Sequence, residues 1–338
     1  LQFSGLSDDL PSISVVIAAR NEQNRIASCL QRLENLDYPA GLLEIILIDD
    51  NSRDSTAEII QTYCARHSNW KLIRLAEEKP GLAGKRPALM QGLARARGEI
   101  IFTTDADCLV PRLWLRKMIR YFLPEVSMVL GYSPLQPESG FRDKIMRFDN
   151  LFSAIVIAAP AKLGYPFSGV GRNLAYNRNT YERTGGYRAL KKFRSGDDMH
   201  LTELFRSRNS GRIEFSADPD TFVFTHAPSG LGELFHQQIR KNSKVLKASP
   251  GTVIFFILVF CYYVSVILLP ICDPRYLTVW GIFVLLKILL EWICLNRAVR
   301  VFRQESLKGY IPVMQLLYPF FIIFFSLLGI FQKYNWKK

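Results

Sequence analysis

The stretch Ile100-Ile101-Phe102-Thr103-Thr104-Asp105-Ala106-Asp107-Cys108 decides how this chain is read. Its apolar opening has the make-up of a buried strand, and two carboxylates stand where that strand should end. In an open α/β sheet, ligands gather at the carboxyl ends of the strands. Two acids one residue apart at such an end can hold a divalent cation, Mg2+ or Mn2+, against a diphosphate. A solitary Asp-x-Asp is more often a polar turn, so the weight of the reading rests on its surroundings.

Toward the N-terminus, Ile13-Ser14-Val15-Val16-Ile17-Ala18 reads as a strand that stops at Arg20-Asn21-Glu22, after which Ile26, Leu30 and Leu33 recur at helical spacing. The unit repeats. The apolar run from Ile45 to Ile48 ends in Asp49-Asp50-Asn51-Ser52, and Ser55-Thr56-Ala57-Glu58 matches a capping box that opens a helix toward Arg66. A third strand over 71–75, a loop Gly81-Leu82-Ala83-Gly84-Lys85 and a helix through Leu89 and Leu93 lead to the strand that carries Asp105. Strands alternating with helices predict a mostly parallel, doubly wound α/β sheet. On that geometry Asp49-Asp50 and Asp105/Asp107 leave the sheet at one edge and can share one ligand.

Beyond a strand over 127–132 the pattern becomes a long amphipathic segment over 141–162 and a Gly/Pro-rich loop over 164–171. Then come Gly171-Arg172-Asn173-Leu174-Ala175-Tyr176, a helix near Thr180, and Ser195-Gly196-Asp197-Asp198-Met199, where two acids open a helix and suit its dipole. Composition changes near Ser249-Pro250-Gly251. The predicted organisation is a domain over 1–248 and a membrane domain over 249–338. Its apolar runs at 252–272, 276–295 and 310–331 are each close to the length that crosses a bilayer. Lys287 and Glu291 fall four residues apart on one helical face of the second run and can neutralise each other, at an interface or as an acceptor-side contact. Pro312 and Pro319 leave the third run open to a tilted, kinked or re-entrant course.

The net charge of +13 would suit nucleic acid, but the densest cations flank the apolar runs: Lys241, Lys244 and Lys247, then Arg297, Arg300, Arg303 and Lys308, then Lys333, Lys337 and Lys338. That placement suits anionic lipid headgroups, and no nucleic-acid module is evident. The first cluster puts the large domain on the cytoplasmic face of a cell's inner membrane, in a multi-pass arrangement. The six cysteines show no Cys-x-x-Cys spacing, which fits a reducing compartment.

The order of these elements closely resembles the family 2 inverting glycosyltransferases of the GT-A fold over roughly residues 12–244, which implies a doubly wound mixed α/β sheet followed here by C-terminal transmembrane helices. The resemblance lies in Val16-Ile17-Ala18-Ala19-Arg20-Asn21-Glu22, in Ile48-Asp49-Asp50-Asn51-Ser52-Arg53-Asp54-Ser55-Thr56, and in Gly84-Lys85-x-x-Ala88 before Asp105-Ala106-Asp107. It implies a nucleotide-sugar donor, a UDP-sugar, with Asp50 on the base, Asp49 in support and Lys85 near the nucleotide. Asp105 and Asp107 become the metal and diphosphate pair, Asp107 being the first choice for direct ligand to Mg2+ or Mn2+. Asp198, beside Asp197, becomes the catalytic base. The family's membrane-embedded members often carry Gln-x-x-Arg-Trp; here Gln237 and Arg240 match, on the acceptor or diphosphate side, but Lys241 stands where Trp is usual. This departure points away from polymerisation and toward one transfer to a membrane lipid or lipid-linked acceptor, with elongation of a polysaccharide as the alternative.

Two other readings fit the sequence less well. Gly81-Leu82-Ala83-Gly84-Lys85-Arg86 fails the P-loop spacing and lacks the Ser or Thr after the lysine, and no Gly-x-Gly-x-x-Gly follows the first strand. A non-catalytic scaffold at the membrane surface explains the charge but not three acidic clusters at strand and helix ends.

Overall fold

The computed structural model describes residues 10–75, 85–190, 197–228, 230–243, 245, 248–272 and 274–331. The predicted glycine loop at 81–84 and Ser195-Gly196 lie outside the described residues, as do Lys244, Lys247 and the lysines after 331. The chain divides into two compact units, Leu1–Gln136 with Val156–His226, and Pro137–Ile155 with Ala227–Lys338.

In the first unit the elements run β1 (Ile13–Ala19), α1 (Ile26–Glu34), β2 (Leu43–Asp49), α2 (Thr56–Cys64), β3 (Trp70–Arg74), α3 (Arg86–Leu93), β4 (Ile100–Asp105), α4 (Trp114–Ile119) and β5 (Val126–Gly131). A long helix, α5 (Phe141–Lys162), is divided between the units; β6 (Leu174–Asn177), α6 (Arg178–Arg183), α7 (Asp197–Ser207) and β7 (Arg212–Ser216) complete the first. The seven strands form one sheet in the order β3-β2-β1-β4-β6-β5-β7. Four consecutive strands are parallel, as the alternation predicts, but β6 enters antiparallel between β4 and β5. The sheet is therefore mixed, as the family resemblance implies, and parallel pairs remain the majority because β5 also pairs with β7 in parallel. β6 and β7 were not anticipated: β6 is only four residues long, and β7 carries Arg212 and Glu214 among its apolar residues.

Burial on both faces explains why the central strands are unbroken apolar runs. Ile13, Val15 and Ile17 pack on one face with Leu30, Phe102 and Trp114, all fully or almost fully buried. Each such branched or aromatic side chain contributes about 1.5–3 kcal/mol relative to exposure. On the other face α3 sits so close that a Cβ on Gly92 would fall 2.6 Å from Ile48 Cδ1 and 2.7 Å from Val16 Cγ1.

The capping box expected at Ser55 is not formed. Ser55 makes no side-chain cap, and the Asp54 carboxylate instead accepts the Thr56 amide at 3.1 Å and the Gln23 amide at 3.2 Å. The helix also ends at Cys64, short of Arg66. What Asp54 gains is a cross-link between the loops that follow β1 and β2. Asn21 and Asn51 both take left-handed backbone angles, φ 54° and 58°, which Asn tolerates better than most residues. Asn21 accepts the Arg53 amide at 2.9 Å through Oδ1 and donates its own amide to Ser52 Oγ at 3.1 Å.

The second unit holds α8 (Leu231–Ser243), α9 (Pro250–Cys272), α10 (Leu277–Val301) and α11 (Ile311–Phe331). Three segments, Pro250–Ile271, Leu277–Val301 and Glu305–Gly329, are long and apolar enough to cross a membrane, with mean hydropathies of 2.7, 2.0 and 2.1. Large apolar side chains such as Leu258, Phe283, Leu285 and Leu316 face outward, the inverse of a soluble core. The third run is one continuous helix that contains Pro319. Trp280 donates to the Val266 carbonyl at 2.9 Å and Gln315 to the Ile288 carbonyl at 2.7 Å, which ties the three helices together. Lys287 and Glu291 pair at 2.7 Å within α10.

Also in this unit, the buried Asp149 carboxylate accepts hydrogen bonds from Gln238 Nε2 at 2.9 Å, Lys241 Nζ at 2.9 and 3.1 Å, and Tyr318 Oη at 2.9 Å. It thereby fixes α8 to α5 and α11.

Among the described glycines the closest approach to another segment's backbone is at Gly98, just before β4, whose amide donates to Ser14 Oγ at 2.8 Å. A Cβ there would lie 2.4 Å from the Ser14 backbone nitrogen and 2.5 Å from the Ile13 carbonyl carbon, and backbone has no rotamer with which to yield. Gly98→Ala is expected to destabilise the fold by about 3 kcal/mol, read as a lower denaturation midpoint; an unchanged midpoint would contradict this packing.

Candidate active site

The parallel register builds the site. Ala19 at the end of β1 pairs with Asp49 at the end of β2, and on the other flank Ala18 pairs with Asp105 at the end of β4. Both acidic strand ends therefore flank one central strand, and the sheet brings them to one edge. Asp49 is buried, at 5 % exposure, and its Oδ1 accepts the Ser52 amide at 3.4 Å, which holds the turn after β2. Asp50 is half-buried, with Arg20 at 3.9 Å.

Asp107 follows in the turn after β4, with Arg25 at 3.9 Å. One carboxylate oxygen from each of Asp105 and Asp107, together with the Cys108 sulfur, lies within 4.8 Å of the others. The two acids suit a hard divalent cation, which takes oxygen ligands and leaves the remaining positions to phosphate and water. Cys108 does not suit it. Burial, with the charges of Asp105 and Asp107, pushes its thiol well above the ordinary value, so it stays protonated, and the same causes push Cys29 beneath it up to about 12.

Lys85 stands at the N-terminal end of α3 and its Nζ contacts Asp105 Oδ1. Burial alone would raise the Asp105 carboxyl, but the charge and hydrogen bond of Lys85, aided by Arg172, outweigh it and hold the group below its usual range. For Lys85 the same contact, with Asp198 and Asp197 further off, overcomes the opposing effect of burial and raises its ammonium. Asp198 opens α7 beside the Gly171 turn: its Oδ2 accepts the Gly171 amide at 3.1 Å and its Oδ1 the Met199 amide at 3.0 Å. Thr103 of β4 donates to the Gly171 carbonyl at 2.7 Å, which joins that turn to the strand carrying Asp105. Asp197 is committed to the buried Arg86, with Nε at 2.6 Å.

Of the residues singled out in the sequence, Lys85, Asp105 and Asp198 are thus gathered together, with Asp107 beside Asp105 and Asp49-Asp50 across β1. Gln237 and Arg240 belong to the second unit, where the adjacent pair Gln238 and Lys241 makes the buried contacts to Asp149. Four cations were not anticipated: Arg20, Arg25, Arg86 and Arg172. Arg20 was legible in principle, since it ends β1 at the same edge as Asp50. Arg172 was not, because only the antiparallel entry of β6 brings the 171–173 turn to β4, where Arg172 Nε donates to Ser133 Oγ at 2.6 Å.

An acidic, cation-balanced carboxyl edge on a mixed seven-stranded sheet defines a nucleotide-sugar transferase fold of the GT-A type. A structure with this fold is the mannosyltransferase PcManGT from Pyrobaculum calidifontis in complex with GDP-Man and Mn2+, similar over 96% of this chain and 86% of that one, with a TM-score of 0.60 at 20% identity. S. aureus TarS 1-349 in complex with UDP-GlcNAc matches over 70% of this chain and 67% of its own, with a TM-score of 0.50 at 18% identity. The model of glycosyl transferase family 2 matches residues 14–193, more than half of the chain, and the chain belongs to that family. The beta-monoglucosyldiacylglycerol synthase of Synechocystis sp. is 36% identical over 112 residues, which are 33% of this chain and 23% of that enzyme. The match therefore spans less than a quarter of that relative's length. The glycosyltransferase AglE of Haloferax volcanii is 24% identical, over 70% of this chain and 73% of its own.

If the carboxylates alone bind the ion, Cys108→Ala is expected to leave Mn2+ binding in the presence of UDP within about twofold of the parent, a change below 0.5 kcal/mol. Asp107→Ala is expected to weaken it by about tenfold or more. Calorimetric titration distinguishes the two, and loss of binding in the cysteine variant would refute the oxygen-only site.

Proposed function

We propose that the chain is a metal-dependent, inverting glycosyltransferase that moves a sugar from a UDP-sugar to a membrane lipid or lipid-linked acceptor. The observation that carries this reading is the convergence of Asp105, Lys85 and Asp198 at the carboxyl edge, with Asp107 beside them. Departure of a nucleoside diphosphate needs positive charge, and attack by a hydroxyl needs a base. This edge offers both within one cluster.

In this reading Asp50 binds the nucleotide base with Asp49 supporting the turn, and Asp105 and Asp107 hold Mg2+ or Mn2+. The ion, when bound, supplies positive charge against the leaving diphosphate. Lys85 adds an ammonium on the same side. The acceptor oxygen attacks the anomeric carbon from the face opposite the diphosphate, the bond to the diphosphate oxygen breaks, and configuration inverts. Asp198 takes the acceptor proton on its carboxylate. The Gly171 and Met199 amides orient that carboxylate, and Asp197 fixes the start of α7 through Arg86.

A lipid acceptor is supported by three helices of membrane-crossing length and by the kinship with diacylglycerol glycosyltransferases over part of the chain. The cations at 241–247 and 297–308 support a catalytic domain over 1–248 on the cytoplasmic face of an inner membrane, with residues 249–338 as its anchor.

Incubation of the solubilised protein with membrane lipid extract and radiolabelled UDP-glucose, UDP-galactose or UDP-N-acetylglucosamine should yield a labelled lipid only with Mg2+ or Mn2+. Asp198→Asn should lower transfer by about 10²-fold or more while nucleotide affinity holds. Transfer that survives EDTA, or full activity in the variant, would overturn these assignments.

A further inference from the structure

Lys85 does more than add charge to the nucleotide side. Its Nζ contacts Asp105 Oδ1, and the place where a Cβ on Gly171 would fall is 3.7 Å from both Lys85 Nζ and Asp198 Oδ2. One ammonium in contact with the acid that ends β4 therefore also lies near Asp198 in the first turn of α7. Asp107, the other member of the pair, faces Arg25 at 3.9 Å. Before any donor arrives, both carboxylates suited to a divalent ion already have a protein cation beside them.

Like charges repel, and they do so more strongly in a half-buried site than in water. A divalent ion approaching Asp105 meets an ammonium already in contact with it. A diphosphate changes the balance in two ways. Its oxygens offer Lys85 another anionic partner, which the flexible four-carbon stem can follow, and its own charge adds ligands for the ion. Arg172 also acts on Asp105 through its charge, but its Nε donates to Ser133 Oγ, which in turn donates to the Val223 carbonyl at 2.6 Å, so it is tethered away from the direct contact that Lys85 makes.

We propose that Lys85 is an internal counter-ion that keeps the Asp105/Asp107 site closed to free divalent cation until a nucleoside diphosphate draws the ammonium away. Metal and diphosphate then bind as a coupled pair. The inference rests on the glycosyltransferase reading above and adds to it an order of assembly and the residue responsible. By linkage, the factor by which diphosphate strengthens metal binding equals the factor by which metal strengthens diphosphate binding. Lys85 sets that factor.

The test is Mn2+ binding by the full-length chain in detergent, followed by the electron paramagnetic resonance of free Mn2+ with and without UDP. For the parent protein, UDP should tighten Mn2+ binding by about tenfold or more, a coupling of ordinary allosteric size. Lys85→Met and Lys85→Gln should each bind Mn2+ without nucleotide about tenfold more tightly than the parent, with the enhancement by UDP correspondingly reduced. Lys85→Arg, which keeps the charge, should behave like the parent. If Lys85→Met fails to fold, Lys85→Gln, which retains a hydrogen-bond donor for Asp105, carries the comparison. Unchanged or weaker Mn2+ binding by the neutral variants without UDP would overturn the counter-ion role alone. Failure of the parent to bind Mn2+ even with UDP would overturn the metal-clamp reading and this inference together.

Discussion

The parallel register of β2, β1 and β4 is the constraint on which the rest depends. Ala19 lies beside Asp49 and Ala18 beside Asp105, so two acidic turns that are distant in sequence become neighbours across one strand. A slip of one residue would exchange the faces of every side chain in the shifted strand and so mismatch its packing against both layers. Burial on both faces makes that slip costly, and so the hydrophobic core itself fixes the spacing of the carboxylates. The close approach of α3 at Gly92 extends the same control to Lys85, which sits at the start of that helix.

Charge balance is the second condition. Six acids drawn together, Asp49, Asp50, Asp105, Asp107, Asp197 and Asp198, would repel one another and, where half-buried, would rather be neutral. The chain answers with cations from two places: Lys85 and Arg86 at the start of α3 meet Asp105 and Asp197, and Arg20 and Arg25 between β1 and α1 lie near Asp50 and Asp107. The pairs are not equal. Arg86 is almost fully buried and donates both Nε and a terminal nitrogen to one Asp197 oxygen, a structural tie. Lys85 and Asp105 each leave about a third of the side chain exposed, 32% in both cases, and so remain able to exchange partners.

Legibility in the sequence followed the same division. The strand ends at Asp49 and Asp105 could be read because a long apolar run followed by an acid is a local signal. The helix over 141–162 could be read because its amphipathic pattern is long, and it is observed as Phe141–Lys162. β6 could not, because Leu174–Asn177 takes its strand form from pairing with β4 and β5 rather than from its own pattern. Ser55 misled for a related reason. Its capping box is a local motif, whereas the Asp54 carboxylate is claimed by a loop thirty residues away, at Gln23. The cations of the site were hardest to assign, since an arginine or lysine in sequence carries no sign of which acid it will meet.

The second unit shows what such partnering does to a family motif. In sequence, Gln237 and Arg240 align with Gln-x-x-Arg, and Lys241 stands where an aromatic residue is usual. In the folded helix the inward pair is shifted by one position: Gln238 and Lys241 meet Asp149, while Lys241 also donates to Ser153 Oγ at 2.6 Å. A carboxylate this buried, at 7 % exposure, needs such partners, because an unpaired charge there would be strongly destabilising. Lys241 is thus bound by electrostatics to the helix framework. An apolar ring at that position would leave the Asp149 carboxylate with only Gln238 and Tyr318 as partners and no opposing charge from α8, so the lysine and the buried acid belong together.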